Sequence, residues 1–146
     1  MEQLKRRYNL AKQALKTFDE AVTDFENRMA FPTQQSFSEE KLEELLRDSV
    51  IKRFEYSVDT VWKFLKEYIK KKYGVELASP KPVLRECFRN KLLNEKEIEL
   101  ALKMIDDRND AVHAYNIEVA DVVSEAAIEY CHLLKTLLER VVIPIL

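Results

Sequence analysis

A chain of 146 residues, 47% apolar and 34% charged, is long enough to bury a core without disulfide or metal staples. One glycine and four prolines exclude a turn-rich sheet protein and point to an all-α antiparallel helical bundle, a single domain over residues 1–146. The net charge of −2 conceals a split: residues 47–91 carry 12 basic and 6 acidic side chains, and residues 92–146 carry 5 and 11. Such a basic middle could steer a polyanion or an acidic partner; its plain alternative is the solvated face of long helices.

Leu4, Tyr8, Ala11, Leu15, Phe18, Val22, Phe25 and Met29 recur at alternating intervals of four and three, which predicts a long amphipathic helix ending near Ala30, before Phe31-Pro32. Ser36 and Glu39 then form a capping-box pattern. It opens a second helix on Leu42, Leu45, Leu46, Val50, Phe54, Val58, Val61, Trp62, Leu65 and Ile69. Lys70-Lys71-Lys72 suits the negative end of that helix, and Gly74 suits a left-handed cap. A helix of ~35 residues would be ~50 Å long.

Ser79-Pro80-Lys81-Pro82 predicts a rigid break before a short helix, Val83 to Asn90. Asn94 and Glu97 cap a fourth helix that carries Ile98, Ala101, Leu102 and Ile105 toward Arg108. A break is expected between His113 and Asn116, with Asn116 capping a fifth helix on Val119, Val122, Val123, Ala126, Tyr130, Leu133, Leu134 and Leu137. The expected architecture is therefore four main helices plus a short one. Cys87 and Cys131 lack CxxC spacing and read as buried, reduced thiols. The terminal Val141–Leu146 run is expected to pack against the bundle or a partner. No secretory leader is read and no apolar run approaches the ~18 residues of a membrane span, so the expectation is a cytoplasmic protein with no membrane partner. No glycine-rich phosphate loop and no metal-ligand spacing occurs, so neither a cofactor nor a metal is expected.

Arg108-Asn109-Asp110-Ala111-Val112-His113-Ala114-Tyr115 is the chemically richest stretch. It joins a permanent cation with phosphate-matching geometry, a group that titrates near neutrality and a phenol. Two further blocks accompany it: Asp48-Ser49-Val50-Ile51-Lys52-Arg53-Phe54-Glu55-Tyr56 with Trp62-Lys63, and Ser79-Pro80-Lys81-Pro82-Val83-Leu84-Arg85-Glu86-Cys87-Phe88. In this order the chain resembles the nucleotidyltransferase substrate-binding protein family, a branch of the HEPN superfamily, over about residues 5–140.

That resemblance implies a HEPN-like bundle that forms homodimers, possible tetramers, and a partnership with a small MNT-type nucleotidyltransferase. The chain would help form the partner's substrate site, binding nucleotide or phosphate through Arg108, Asn109, His113 and Tyr115. Related HEPN proteins are metal-independent RNase toxins, with the signature arginine, four to six residues, histidine, one residue and tyrosine. Under that alternative the chain is a toxin acting on RNA, with Arg108 and His113 catalytic. The MNT partner would neutralise it by adenylylating Tyr115.

Geometry limits both readings. On an uninterrupted helix, residues 108 and 115 share a face, whereas residue 113 lies ~140° from residue 108. Gathering all three requires unwinding near His113, or a site composed from two signatures across a two-fold axis. With His113 as general base or acid and Arg108 on the phosphate, attack by the ribose 2′-hydroxyl would leave a 2′,3′-cyclic phosphate and a 5′-hydroxyl. The plain alternative pairs Arg108 with Asp106, Asp107 or Asp110, and leaves His113 and Tyr115 to cap and pack a helix junction.

Overall fold

The computed structural model describes residues 1–30, 38–113 and 117–141, with the backbone alone described at 112–113 and 117–119. Five α-helices follow one another: α1 (Glu2–Glu26), α2 (Glu39–Tyr73), α3 (Pro80–Arg89), α4 (Glu95–His113) and α5 (Ile117–Arg140). A 3-10 turn, Arg28–Ala30, follows α1. There is no strand among the described residues, in keeping with the all-α expectation.

Helix ends depart from the sequence patterns where local chemistry has two solutions. The N-cap of α2 is Ser38, whose Oγ accepts the Lys41 amide at 3.1 Å. Glu39 is then the first helical residue, so the N-cap is Ser38 rather than the expected Ser36, which lies outside the described residues. Helix α3 starts at Pro80, three residues before the expected Val83, because proline fits a first turn whose amide has no helical partner. Helix α1 ends at Glu26, short of the expected Ala30, while two other ends follow the patterns. Gly74 closes α2 in the left-handed conformation, φ 70°. Asn94 Oδ1 accepts the Glu97 amide while Glu97 Oε1 accepts the Asn94 amide, both at 2.8 Å. Residues 114–116, with the expected Asn116 cap, lie outside the described residues, as do residues 142–146.

Helix α2 touches each of the other four and forms the axis of the bundle. Its core face begins at Val50 and runs through Phe54, Val58, Val61, Phe64, Leu65, Tyr68 and Ile69. Phe54 is fully buried between Phe18 of α1, 6.0 Å away, and Tyr130 of α5, stacked at 5.5 Å and 18°. Two polar bonds fix α1 against α2: Ser57 Oγ donates to the Ala14 carbonyl at 3.2 Å, and Arg53 donates to that of Thr17 at 2.8 Å. Both cysteines are buried and unpaired.

Three residues of the expected core are exposed. Met29 is 85% exposed, because α1 ends at Glu26 and the 3-10 turn rotates it off the seam. Leu45 is exposed beside Leu46, which packs against the core, and Val122 sits on the outer face of α5 beside the buried Val123. Trp62 is half-buried and packs against the core.

Arg140 ties the end of α5 to the α3–α4 turn, donating to the Leu92 carbonyl at 3.0 Å and to Glu97 at 2.6 Å. That bond holds the Glu97 carboxyl below its ordinary range. A depressed folded value contributes stability above the unfolded pKa, lost as pH falls through the folded one. Glu97→Gln is therefore expected to lower Tm at pH 7 by ~2–4 °C, the scale of a surface pair worth up to ~1 kcal/mol. The difference from wild type should shrink in thermal melts as pH falls below the ordinary carboxylate range and Glu97 is protonated in the folded state as well. Phe54→Ala is expected to cost ~3–5 kcal/mol in urea unfolding.

Candidate functional site

The signature begins on the penultimate turn of α4. Arg108 and Asn109 are described in full; at His113 only the helical backbone is described, and Tyr115 lies outside the described residues. Because α4 remains helical through His113, unwinding before that residue does not bring it round to Arg108. Residues 108 and 113 are then ~140° apart about one helix axis.

Arg108 leans toward α2. Its Nη2 lies 3.9 Å from Asp59 Oδ1, and its Nη1 donates to its neighbour Asn109 at 3.3 Å. Its buried Nε has no acceptor among the described residues. The three acidic neighbours weighed as partners from sequence do not take it. Asp106 pairs with Lys81 of α3 at 2.6 Å, and Asp107 accepts a hydrogen bond from Tyr130 of α5. Asp110 is exposed and makes no ion pair among the described residues.

The acidic residues facing Arg108 come instead from α2. Glu55, Asp59 and Lys63 follow at intervals of four, one stripe on that helix. Asp59 also pairs with Lys63 at 2.9 Å. Burial pushes the Glu55 carboxyl above its ordinary range, while Arg108 and then Lys52 pull it back. Arg53, two residues earlier, points the other way and is used on α1. The i, i+4, i+8 spacing was readable in the sequence, but its direction toward α4 was not.

Tyr130 is the other residue that sequence reasoning placed in the core and nothing more. Its ring is buried, and its hydroxyl donates to the carboxylate of Asp107. Burial first, then that bond, raises its ionisation well above the ordinary phenol range. The available signal was general: a buried tyrosine needs a partner for its hydroxyl.

Other reactive groups are unsuited to chemistry. Burial pushes both thiols up to about 12, so neither Cys87 nor Cys131 is a nucleophile at neutral pH. His132 is exposed, and no group of three or more His, Cys, Asp and Glu converges among the described residues. A shallow groove of about 230 Å³ between α1 and α5, lined in part by Lys12, Lys16 and Lys135, shares no residue with the Arg108 cluster.

Residues 6–143 match the family described as nucleotidyltransferase substrate binding protein like. The chain belongs to that family. A crystal structure of a Thermus thermophilus protein is 35% identical, with a TM-score of 0.73 over 89% of this chain and 97% of that one. Two more distant structures share the fold: a toxin–antitoxin with AMP-PNP and a tri-AMPylated Shewanella oneidensis HEPN toxin in complex with MNT antitoxin. Their identities are 15% and 16%, with TM-scores of 0.65 and 0.63 over 90% of this chain and 96% and 95% of theirs. No curated protein matches the sequence. Among the described residues no helix is long and apolar enough to cross a membrane.

The Tyr130–Asp107 bond can be tested apart from any ligand. Tyr130→Phe keeps the buried ring and removes the donor to a carboxylate, so a loss of ~1.5–3 kcal/mol is expected in urea unfolding. A variant as stable as wild type would show that the bond contributes nothing.

Proposed function

We propose that this chain is the helical substrate-binding subunit of a small MNT-type nucleotidyltransferase, in which Arg108, Asn109, His113 and Tyr115 hold the phosphate groups of a nucleotide. What carries the reading is the state of Arg108. A guanidinium offers five donors in a fixed fork, yet here it makes one hydrogen bond to its neighbour and one long ion pair among the described residues. Its buried Nε lacks an acceptor among the described residues, as do those of Arg7 and Arg47; of the three, Arg108 alone lies in the signature, and an incoming phosphate would supply the acceptor. The family, whose description is substrate binding for a nucleotidyltransferase, supports the same assignment. With α4 helical through His113, the reading places the complete site in a homodimer, where a second signature brings its histidine and tyrosine across the two-fold axis.

The second reading is a metal-independent HEPN RNase toxin that the MNT partner neutralises by adenylylating Tyr115. The Arg108-x4-His113-x-Tyr115 spacing favours it. The two share a partner and a dimer, and differ in whether His113 moves a proton between ribose hydroxyl and phosphate.

Co-purification with the nucleotidyltransferase should yield a stable complex. ATP affinity should fall ~10- to 100-fold in Arg108→Ala, the worth of a charge-assisted pair. Unchanged affinity in that variant would remove Arg108 from the site. The free dimer, checked by mass to be unmodified at Tyr115, should not cleave total RNA or tRNA in EDTA. Cleavage by wild type but not by His113→Ala, leaving cyclic-phosphate ends, would replace the first reading with the second.

A further inference from the structure

Asp59 is one carboxylate between two cations. One oxygen lies 3.9 Å from Nη2 of Arg108 on α4, and the other lies 2.9 Å from Nζ of Lys63, one turn further along α2. All three side chains are accessible, being 30% exposed at Arg108, 35% at Asp59 and 45% at Lys63. An aspartate–lysine pair four apart on a helix needs no ligand to explain it. What sets this pair apart is a guanidinium from another helix that reaches the same carboxylate without closing a hydrogen bond to it. Asp59 thus holds two positive groups at a spacing that a doubly coordinated oxyanion can bridge.

We propose that Lys63 and Arg108 form a two-cation seat for a nucleotide phosphate, occupied in the free protein by the Asp59 carboxylate. The proposal rests on the reading of Arg108 as a phosphate ligand and adds Lys63 as a second ligand and Asp59 as its internal competitor. A carboxylate and a phosphate both present anionic oxygens from one central atom, so cations spaced for the first are spaced for the second. Arg108 contributes a planar fork and Lys63 a compact charge on a flexible stem, the combination that suits an oxyanion approached from two sides. The arriving phosphate carries more charge than the carboxylate and displaces it. Asp59 then turns toward solvent, which its exposure allows, and keeps weaker anions out until that exchange.

The test is calorimetric titration of ATP, and of tripolyphosphate as a base-free probe, into the full chain at one ionic strength. Asp59→Asn retains the shape and removes the competing charge, so both probes are expected to bind about three- to tenfold tighter. Lys63→Met should bind at least about threefold weaker, and Lys63→Arg should lie within about twofold of wild type. Unchanged affinity in Lys63→Met, or weaker binding in Asp59→Asn, overturns the seat. If Arg108→Ala weakens ATP while the substitutions at 59 and 63 do not change it, the seat alone falls and the phosphate reading stands. If ATP binds neither wild type nor Asp59→Asn at millimolar concentration, both fall. Tripolyphosphate that fails to follow the ATP order overturns phosphate as the group recognised.

Discussion

Phe54 is held between Phe18 and Tyr130, and through that stack three helices share one aromatic contact at the centre of the bundle. The third ring carries the constraint outward. Tyr130 cannot leave its hydroxyl unpaired in the core, and it takes Asp107 of α4 as partner. That bond fixes the rotation of α4 at the turn where Arg108 follows Asp107, and directs the guanidinium toward α2. The position of a surface cation is thereby set from the interior of the protein.

The charge around that cation is arranged unusually for a surface. Glu55 and Asp59 face it from one stripe of α2, yet neither closes a hydrogen bond with it. Meanwhile Lys81 takes Asp106 and Tyr130 takes Asp107, so the carboxylates nearest in sequence are used elsewhere. The outcome is a guanidinium that is electrostatically accommodated but poor in hydrogen bonds. Such a group holds its place without ligand and still gains by binding one, because the long ion pair is easily exchanged for a closer oxyanion.

Much of the fold was legible from spacing, because helical periodicity and caps are local. The seam of α1, the length of α2, Gly74 and the Asn94–Glu97 box all depend on neighbours within a few residues. Where an expectation depended on which face meets a neighbour, the pattern alone was insufficient: Met29, Leu45 and Val122 fit a periodic stripe but are exposed. That Ser38 rather than Ser36 caps α2 follows from the bond its hydroxyl accepts from the Lys41 amide. The candidate site divides in the same way. Arg108 was visible because arginine, histidine and tyrosine are side-chain types suited to phosphate chemistry and stand close together in the sequence. Asp59, Lys63 and Tyr130 were not, since what matters about them is which helix they face, and that is settled by packing between segments far apart in the chain.

The Tyr130–Asp107 bond also bears on the order of folding. Helices α1 and α2 adjoin in sequence and share the Ser57 and Arg53 bonds, so their hairpin closes a short loop, whereas α5 must return across most of the chain to reach Phe54. Local pairs form early at low entropic cost, and the long return comes late. The Asp107–Tyr130 bond spans 23 residues, fewer than the 43 and 36 spanned by the Ser57 and Arg53 bonds, so the α4–α5 hairpin is itself a local pair. The long-range step is the docking of that hairpin on α2, and only then does Arg108 face Asp59.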